Sequence, residues 1–390
     1  MDGQQGGGLM AMDVAAQWAG GVLTINLGAI AANYRLLTQI VRQADGESHA
    51  AVCAAAIKAD AYGLGASLVA PVLERAGCRD FFVAHLAEGL AIRPAIRDDA
   101  SSVFVLHGPP PGTARDFHEA GLTPVLNSME QIAEWRALAK ALGHPLAAVL
   151  QVDSGMARFG MTAMEVEKLT ADPSLLDGIS TVLVMSHLAC ADTPEVASNH
   201  SQLAEFRRLS ALLPAAKRSL AASSGIFLGP DWHFDLVRPG AALYGVNPTP
   251  GRPSPVRSVV RLQARVIQTR TVPKGQAVGY GGYFIAPRES RIALLGIGYG
   301  DGFLRSVSNR GTAILPRRSD RPLPVIGRVS MDSLAIDVTD LGDDTVSAGD
   351  LIDLIGPHNP LDEVASAAGT IGYELLTDLG GRYHRIYTSE

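Results

Sequence analysis

One segment is central to the fold that this sequence predicts: Ala55-Ala56-Ile57-Lys58-Ala59-Asp60-Ala61-Tyr62-Gly63-Leu64-Gly65. The apolar run at residues 50–57 predicts a buried strand that ends in a lysine, and a Gly-rich turn follows it. Because burial disfavours the ammonium form, we expect a lowered pKa for Lys58. Such a lysine can form a Schiff base with a carbonyl compound and can later act as a base. Tyr62 could reach an anion that the amides of the open turn also bind.

The composition is that of an ordinary globular protein. Its 390 residues suffice for two domains, and 47% of them are hydrophobic and 18% charged. The net charge of −6 does not indicate nucleic-acid or anionic-membrane partners, and no apolar run approaches the ~20 residues of a membrane helix. Three cysteines without CxxC spacing favour a reducing cytoplasm and give no support for a metal site. The Gly- and Gln-rich residues 1–9 predict a disordered leader rather than a signal peptide.

Strand-like and helical segments alternate between residue 50 and about residue 245. Helical spacing covers residues such as 129–142 and 162–171, and the strand candidates centre on Val52, Phe82, Phe104, Pro124, Val149, Leu183, Leu220 and Leu236. This alternation predicts βα units around a parallel sheet. Residues 22–27, followed by helical spacing over 29–43, would make a ninth strand, so we place them outside a closed (β/α)8 barrel or as a lead-in to it. An open doubly wound sheet also fits the spacing, but no GxGxxG follows the first strand.

The pattern changes after residues 247–255, which contain four prolines and predict a linker. Beyond them, residues 256–271, 291–297, 324–338 and 350–355 are β-rich with little helical periodicity, and a last helix is expected over 361–370. The sequence therefore predicts an α/β chain with a (β/α)8 TIM-type barrel followed by a C-terminal, mostly-β domain. The expected boundaries are 1–21 for the leader and lead-in, 22–250 for the barrel and 251–390 for the β-rich domain.

Catalytic groups of a (β/α)8 barrel gather where its strands end. Residues that carry chemistry follow several predicted strands: Lys58 and Tyr62, His85, His107, Arg158, His187, Ser223 and Arg238. A lone lysine at a strand end is usually a solvated cap, and a lone histidine or arginine usually makes a structural hydrogen bond. We keep that interpretation for His85 and His107, whereas the joint placement of the other charged residues argues against it. The small residues after the last two strands favour a phosphate site.

These segments resemble, in the same order, the motifs of the alanine racemases, which hold pyridoxal 5′-phosphate (PLP) on a barrel. The resemblance starts with the lysine segment and continues through DSGMARFG at 153–160, SHLACAD at 186–192 and VRPGAALYG at 237–245. In the β-rich part, GYGDG at 298–302, GRVSMD at 327–332 and the pair Tyr373-Glu374 resemble further family motifs. Because the matches run from about residue 20 through both predicted domains, they argue against a chance resemblance.

The resemblance implies a PLP-dependent isomerase that interconverts L- and D-alanine with two bases. Lys58 would carry PLP and act as the base toward the D-isomer, and Tyr299 from a second subunit would act toward the L-isomer. Arg238 would face the pyridine nitrogen and leave it unprotonated, because arginine donates hydrogen bonds and keeps its proton. His187 would hydrogen-bond Arg238 and Tyr299. The family also implies a cytoplasmic homodimer with shared sites that supplies D-alanine for cell-wall peptidoglycan.

The remaining implied contacts concern the cofactor phosphate and the substrate. Arg158 would contact the substrate carboxylate and the PLP phenolate oxygen, and the Met331 backbone N–H would contact the same carboxylate. The phosphate would be held by Tyr62, Ser223, Gly240, Ala241 and Tyr373.

The chain departs from the family pattern at three positions. Gln151 stands where many members carry a carbamylated lysine, so Arg158 would be held by the glutamine amide or by a bound anion. Ala222 replaces a frequent Asn, and Ser330 replaces a frequent Cys. The first two departures are expected to affect the turnover rate and the substrate breadth.

Other functions remain open. A racemase of the same fold could act on serine or lysine. A non-catalytic PLP-binding homeostasis protein would share the lysine motif but lack the β-rich part and Tyr299. A PLP decarboxylase of the barrel-plus-β type typically has Glu at the position of Arg238.

Overall fold

The structure, a computed structural model, describes residues 14–45, 51–341 and 346–389, and the leader expected at residues 1–9 lies outside them. The described residues divide into two compact units, one with those up to Ile25 and within Val260–Thr388, the other with those within Asn26–Val259. After helix α1 (Val14–Trp18), strand β1 (Gly21–Asn26) pairs antiparallel with a strand of the C-terminal part, Gly21 opposite Ala264. The division therefore differs from the boundaries expected at residues 22 and 251. No helix in the described ranges is long and apolar enough to cross a bilayer.

Parallel strands form the barrel within the second unit. The first barrel strand is interrupted at Ala54 and consists of β2 (Val52–Cys53) and β3 (Ala55–Ala56). The others are β4 (Asp80–Val83), β5 (Ser102–Val105), β6 (Thr123–Leu126), β7 (Leu146–Gln151), β8 (Ile179–Met185), β9 (Lys217–Ser219) and β10 (Leu236–Val237).

Backbone hydrogen bonds close these strands into a ring. Strands β3 to β9 pair in sequence order, and β10 pairs with β2. The last gap is bridged where the Arg238 N–H donates to the Ala221 carbonyl at 2.9 Å and the Asp235 N–H donates to the Arg218 carbonyl at 3.0 Å. The expected (β/α)8 barrel is confirmed, and the open doubly wound alternative is wrong.

Helices connect the barrel strands. Their bounds are α2 (Leu27–Asp45), α3 (Lys58–Gly63, a left-handed turn rather than an ordinary helix), α4 (Ala66–Arg75), α5 (Leu86–Ile92), α6 (Ala114–Glu119), α7 (Met129–Leu142), α8 (Ala163–Ala171) and α9 (Ser198–Ala211). The helices expected at 129–142 and 162–171 are present, and each begins at a side-chain cap, because Ser128 and Thr162 accept the N–H three residues later. Gly143 ends α7 with the left-handed φ of 75° that glycine adopts without strain.

The barrel interior is a packed core. It consists of Ala54, Ala56, Phe82, Phe104, Val125, Val149, Leu183, Met185 and Leu236, with Leu106 packed against it. The rings of Phe82 and Phe104 stack with centroids 4.8 Å apart. Large side chains on β4 and β5 are accommodated by the alanines of the first strand, so the interior is filled rather than open. This core fixes the strand ends that carry the candidate site.

The other unit is built on antiparallel strands. Its strands are β11 (Val260–Val272), β12 (Ala277–Val278), β13 (Phe284–Ile285), β14 (Ser290–Leu295), β15 (Thr312–Ile314), β16 (Pro322–Ile326), β17 (Leu334–Asp337), β18 (Leu351–Ile355) and β19 (His384–Thr388). The main sheet has the order β14-β17-β16-β15-β18-β11-β1-β19. The long β11 also pairs with β14. Its register shifts after Leu262 in the pairing with β18 and after Val266 in the pairing with β14. The N-terminal half of β11 therefore pairs with β1 and β18, and its C-terminal half pairs with β14.

Several details of the β-rich part differ from the sequence expectation. The expected stretch 324–338 is two strands, β16 and β17, joined by a turn, and the expected helix 361–370 ends at Ala367. The helices here are α10 (Leu361–Ala367) and α11 (Gly372–Asp378). Short strands such as β15 and β19 carry too few residues for a period-two pattern to reveal them.

Candidate active site

Lys58 stands where the first barrel strand ends, as the sequence predicts. The chain then makes a left-handed turn, with φ between 51° and 56° at four successive non-glycine residues, Ala59 to Tyr62. Each such residue costs about 1–2 kcal/mol relative to a right-handed conformation. Local hydrogen bonds offset this cost, since the Ala66 N–H donates to Asp60 Oδ1 at 2.7 Å and the Gly65 N–H to the Asp60 carbonyl at 2.9 Å. A strained but well-held turn therefore follows the lysine.

The expected decrease in the pKa of Lys58 is present. Burial is its main cause, and the nearby positive charge of Arg158 adds to it, whereas Glu88 acts in the opposite direction. The neutral amine is consequently more available than on an ordinary surface lysine. A neutral lysine amine is the form that attacks a carbonyl group.

The loops after β9 and β10 form a small cradle near the end of the first strand. Ser223 Oγ accepts the N–H groups of Gly240 at 3.0 Å and Ala242 at 3.2 Å. A hydroxyl that accepts two hydrogen bonds keeps its own proton for donation to a third group. A methyl group on Gly240 would lie 2.3 Å from the Tyr62 hydroxyl, so the phenol rests directly on this glycine. Tyr62, Ser223 and Gly240 are thus brought together, with Ala241 directly after Gly240, and the Ser223 hydroxyl is a donor suited to a phosphate.

Arg238 is a buried cation that hydrogen-bonds neutral groups only. Its guanidinium donates to Ser219 Oγ, to the Ser186 carbonyl at 2.6 Å and to the Leu220 carbonyl at 3.5 Å, and in the described part of the chain it forms no ion pair with a carboxylate. Burial lowers the pKa of Arg238 to about 9, so it stays protonated at neutral pH. A buried charge of this kind is costly unless an acceptor completes its surroundings.

His187 hydrogen-bonds Arg238, as expected. Nη2 of Arg238 donates to Nδ1 of His187 at 3.4 Å. Burial, followed by the charges of Arg238, Arg158 and Lys58, lowers the pKa of His187 to about 3. The imidazole is therefore neutral, and because Nδ1 is the acceptor, its proton is on Nε2.

His85 and His107 contact each other beside the lysine. Their Nδ1 atoms are 3.2 Å apart, and their rings meet edge to face. The His107 ring also packs on Phe159, over which the Arg158 guanidinium lies at 5.8 Å. Burial and the charge of His85 lower the pKa of His107. The two histidines are structural partners of one another, in line with the interpretation adopted from the sequence.

Gln151 is buried at the end of β7, with 6% of its surface exposed. Its backbone carbonyl accepts a hydrogen bond from the Met161 N–H at 2.8 Å. Between the described side chains of Gln151 and Arg158 there is no hydrogen bond, and Arg158 is exposed and held by Phe159. An amide contact that holds Arg158 is therefore not present in this structure.

Two further predicted residues come together in the β-rich unit. The Tyr299 N–H donates to the Ser330 carbonyl at 3.0 Å, and the Gly300 N–H donates to the Met331 carbonyl at 2.8 Å. The side chains of Tyr299 and Met331 are 42% and 53% exposed. Tyr373 lies in α11 with 37% of its surface exposed. Two motifs separated in sequence thus share one exposed surface of this unit.

The sequence analysis missed Glu88. Its Oε1 accepts the Ala59 N–H at 2.7 Å, immediately after Lys58, and its Oε2 accepts the N–H groups of Ala84 at 2.6 Å and His85 at 3.1 Å. Glu88 lies at the third position of α5, where a carboxylate often caps the helix. A glutamate at this helix position can be recognised in the sequence as a cap, but capping alone does not predict its hydrogen bond with the Ala59 N–H.

The residues present fit the PLP that the sequence resemblance implies. Three features lie at the ends of the barrel strands. They are a lysine with a lowered pKa, a phosphate-sized cradle that a Cβ at Gly240 would fill, and a buried arginine without a carboxylate partner among the described residues. Lys58 would attach to the aldehyde carbon of PLP, and the cradle would bind its phosphate. Arg238 would donate a hydrogen bond to its uncharged ring nitrogen.

Comparisons with known proteins agree with this arrangement. The family profiles described as the N-terminal and C-terminal domains of alanine racemase match residues 25–248 and 259–387. A catabolic alanine racemase of Mesorhizobium japonicum is 49% identical over 369 residues, which cover 95% of this chain and 93% of that protein. An alanine racemase of Brucella canis is 47% identical over 382 residues, which cover 95% of this chain and 94% of that protein.

Solved structures are similar over the same length. The alanine racemase of Bartonella henselae with covalently bound pyridoxal phosphate has a TM-score of 0.88 and 42% identity, over 95% of this chain and 99% of that chain. The alanine racemase of Streptomyces coelicolor has a TM-score of 0.88 and 32% identity, over 96% of this chain and 100% of that chain.

Proposed function

The chain belongs to the alanine racemase family, and we propose that it interconverts L- and D-alanine with Lys58 on one face of the substrate and Tyr299 from a second copy on the other. It is a PLP-dependent isomerase. The observation that carries the proposal is the placement of Lys58 and a buried Arg238 around His187, whose pKa both lower, with neutral hydrogen-bond partners for Arg238 among the described residues. That combination fits a cofactor whose ring nitrogen stays unprotonated.

Lys58 holds the cofactor and moves a proton at the substrate Cα. When bound, PLP supplies the electron sink that makes this Cα–H acidic. Because the pKa of Lys58 is lowered by burial and by Arg158, the neutral amine that accepts a proton is more populated than on a surface lysine. Racemisation also requires proton delivery on the opposite face, and we assign that step to the Tyr299 phenol.

Arg238 and His187 set the electronic character of the site. The guanidinium keeps its proton, so its partner nitrogen on the cofactor receives a hydrogen bond rather than a full proton. This limits charge delocalisation into the ring and favours return of the proton to Cα over transamination. The neutral His187 accepts from Arg238 at 3.4 Å and thereby orients it. Arg158 is assigned to the substrate carboxylate together with the Met331 backbone N–H.

A homodimer with shared sites completes the proposal. Tyr299 is 42% exposed beside the Ser330–Met331 backbone, so its phenol is available to a second copy. Tyr62, Ser223, Gly240 and Ala241 are proposed for the phosphate, with Tyr373 as a further contact. We also propose a cytoplasmic location, since the three cysteines of the sequence favour a reducing compartment.

The direct test is racemisation by the PLP-loaded protein. L-alanine in D2O should give D-alanine that carries deuterium at Cα, measured by chiral chromatography and mass spectrometry, because the incoming proton is delivered from the opposite face. L-serine and L-lysine are included to test the broader-specificity alternative. Absence of D-alanine from a fully loaded protein would refute the proposed function. Formation of D-serine or D-lysine would then favour the racemase of other specificity, and absence of every D-product would favour the non-catalytic PLP-binding alternative.

The metabolic role is tested separately. We propose supply of D-alanine for peptidoglycan, whereas the Mesorhizobium japonicum relative carries the name of a catabolic enzyme. Deletion of the gene should make growth depend on added D-alanine if the supply role is correct. Loss of growth on alanine as sole carbon source, with normal growth otherwise, would indicate the catabolic role instead.

A further inference from the structure

Glu88 connects the turn after Lys58 to the end of the neighbouring strand. One carboxylate oxygen accepts the Ala59 N–H at 2.7 Å, and the other accepts the Ala84 N–H at 2.6 Å and the His85 N–H at 3.1 Å. Ala84 and His85 directly follow β4, the strand that pairs with β3. One side chain therefore ties together the backbones that leave two adjacent barrel strands.

The turn that Glu88 holds has an unfavourable backbone conformation. Ala59, Asp60, Ala61 and Tyr62 all have positive φ values, although none of them is glycine. Such residues keep this conformation only where surrounding contacts determine it. Ala59 is the first of the four and directly follows Lys58, so its N–H fixes where the turn begins.

We propose that Glu88 is a positioning residue for Lys58, whose carboxylate fixes the left-handed turn and so sets the place of the lysine amine. This inference rests on the proposed function of Lys58 as the residue that binds PLP. Glu88 itself need not touch substrate or cofactor. It acts through the Ala59 N–H and through the two amides at the end of β4.

The charge of Glu88 acts in the same place. It raises the pKa of Lys58, against the larger effects of burial and of Arg158. Removal of the charge should lower the pKa of Lys58 further. A variant that keeps the negative charge on a shorter side chain therefore separates the effect of the hydrogen bonds from the effect of the charge.

Three variants of the full chain test the inference. Glu88→Gln keeps the size but loses the charge and one acceptor, and Glu88→Asp keeps the charge but is one methylene too short to hold all three amides. The matched control is Glu74→Gln, because Glu74 also accepts two backbone amides and a hydroxyl, those of Arg97 at 3.2 Å, Asp98 at 3.0 Å and Ser101 at 3.2 Å. Its partners lie in the loop before β5, at the opposite ends of the strands.

The measurement is the rate at which PLP attaches to Lys58 in protein freed of cofactor, followed by absorbance from pH 6 to 9 and located by peptide mass. Both Glu88 variants should attach PLP about tenfold to a hundredfold more slowly at neutral pH, as expected for loss of a hydrogen bond to a charged group. Glu88→Gln alone should shift the pH profile of the rate toward acid. Glu74→Gln should attach PLP at the wild-type rate, even if its melting temperature falls as much.

The outcomes separate this inference from the proposed function. Wild-type rates in both Glu88 variants, or an equal slowing in Glu74→Gln, would overturn the positioning role while leaving Lys58 as the PLP residue. If the wild-type protein attaches no PLP to Lys58, the proposed function itself fails. Should Glu88→Gln not fold, Glu88→Asp still tests the geometry, because slow attachment by a folded Glu88→Asp supports the inference.

Discussion

Replacement of Gly240 by alanine is the most direct test of the phosphate cradle. An ideal Cβ there would lie 2.3 Å from the Tyr62 hydroxyl oxygen, 3.0 Å from Tyr62 Cζ and 3.2 Å from the Ala56 Cβ. Ordinary contact begins at 3.4 Å, so the hydroxyl must move by roughly 1 Å. Gly240 has φ −129° and ψ −86°, outside the ordinary α and β regions, so an alanine there adds a backbone cost to the steric clash.

The phenol has little room for that movement. Tyr62 is buried and packs on Tyr244 with ring centroids 4.8 Å apart, and Tyr244 is itself fixed by a hydrogen bond from its hydroxyl to the Ala56 carbonyl at 3.0 Å. Overpacking at such a site costs about 1–3 kcal/mol. For a unit of this size the melting temperature should fall by about 2–4 °C per kcal/mol. Affinity for PLP should fall about tenfold or more, since one hydrogen bond to the charged phosphate is displaced.

The assay combines thermal denaturation with PLP titration of the cofactor-free protein. Gly381→Ala is the control, because a Cβ at Gly381 would have no atom within 4 Å. A double variant, Gly240→Ala with Tyr62→Phe, removes the clashing hydroxyl but leaves the contacts with Tyr62 Cζ and the Ala56 Cβ, so it should regain part of the melting temperature and none of the PLP affinity. If Gly240→Ala binds PLP as tightly as the wild type although its melting temperature falls, Tyr62 and Gly240 do not hold the phosphate.

Three further predictions follow from the site. Lys58→Ala and Tyr299→Phe should each be inactive, but after subunit exchange their mixture should regain roughly a quarter of wild-type activity if the sites are shared in a two-fold dimer; exchange without recovery would exclude shared sites. His187 has a pKa of about 3 in the folded chain against about 6.5 unfolded, so stability is lost as pH falls below about 6.5. The His187→Gln variant should lose less stability from pH 6.5 to 5 in denaturant melts, and an unchanged slope would contradict the pKa. Gln151 cannot be carbamylated, so removal of dissolved CO2 should leave the racemisation rate unchanged; a rate that needs CO2 would mean that the DSGM segment was aligned wrongly.

The barrel could be predicted because its signal is local and repeated. Apolar runs such as Phe81-Phe82-Val83 and Val103-Phe104-Val105 mark buried parallel strands, and the capped helix Met129–Leu142 has an unbroken helical period. Polar residues that directly follow such strands must lie at one edge, so Lys58, His187 and Arg238 could be expected to meet.

The remaining features depend on contacts between distant residues. The place of β1 follows from its pairing with Val260–Ala264, which no local pattern encodes. The left-handed turn at Ala59 to Tyr62 contains no glycine before Gly63, so the sequence gives no sign of its positive φ values. Glu88 acquires its role only because parallel pairing of β3 with β4 brings its carboxylate within reach of Ala59.

The charges of the barrel site explain why it should bind anions. Lys58, Arg158 and Arg238 all act to lower the pKa of His187, and Glu88 is the carboxylate that counteracts the lowering at Lys58. Positive groups held this close destabilise the empty protein by mutual repulsion and by their own desolvation. A phosphate at the cradle and a substrate carboxylate near Arg158 would relieve both costs. Ligand binding to the folded state alone stabilises it, so loading should raise the melting temperature, and partial neutralisation of the three charges should raise the pKa of His187 from its low value.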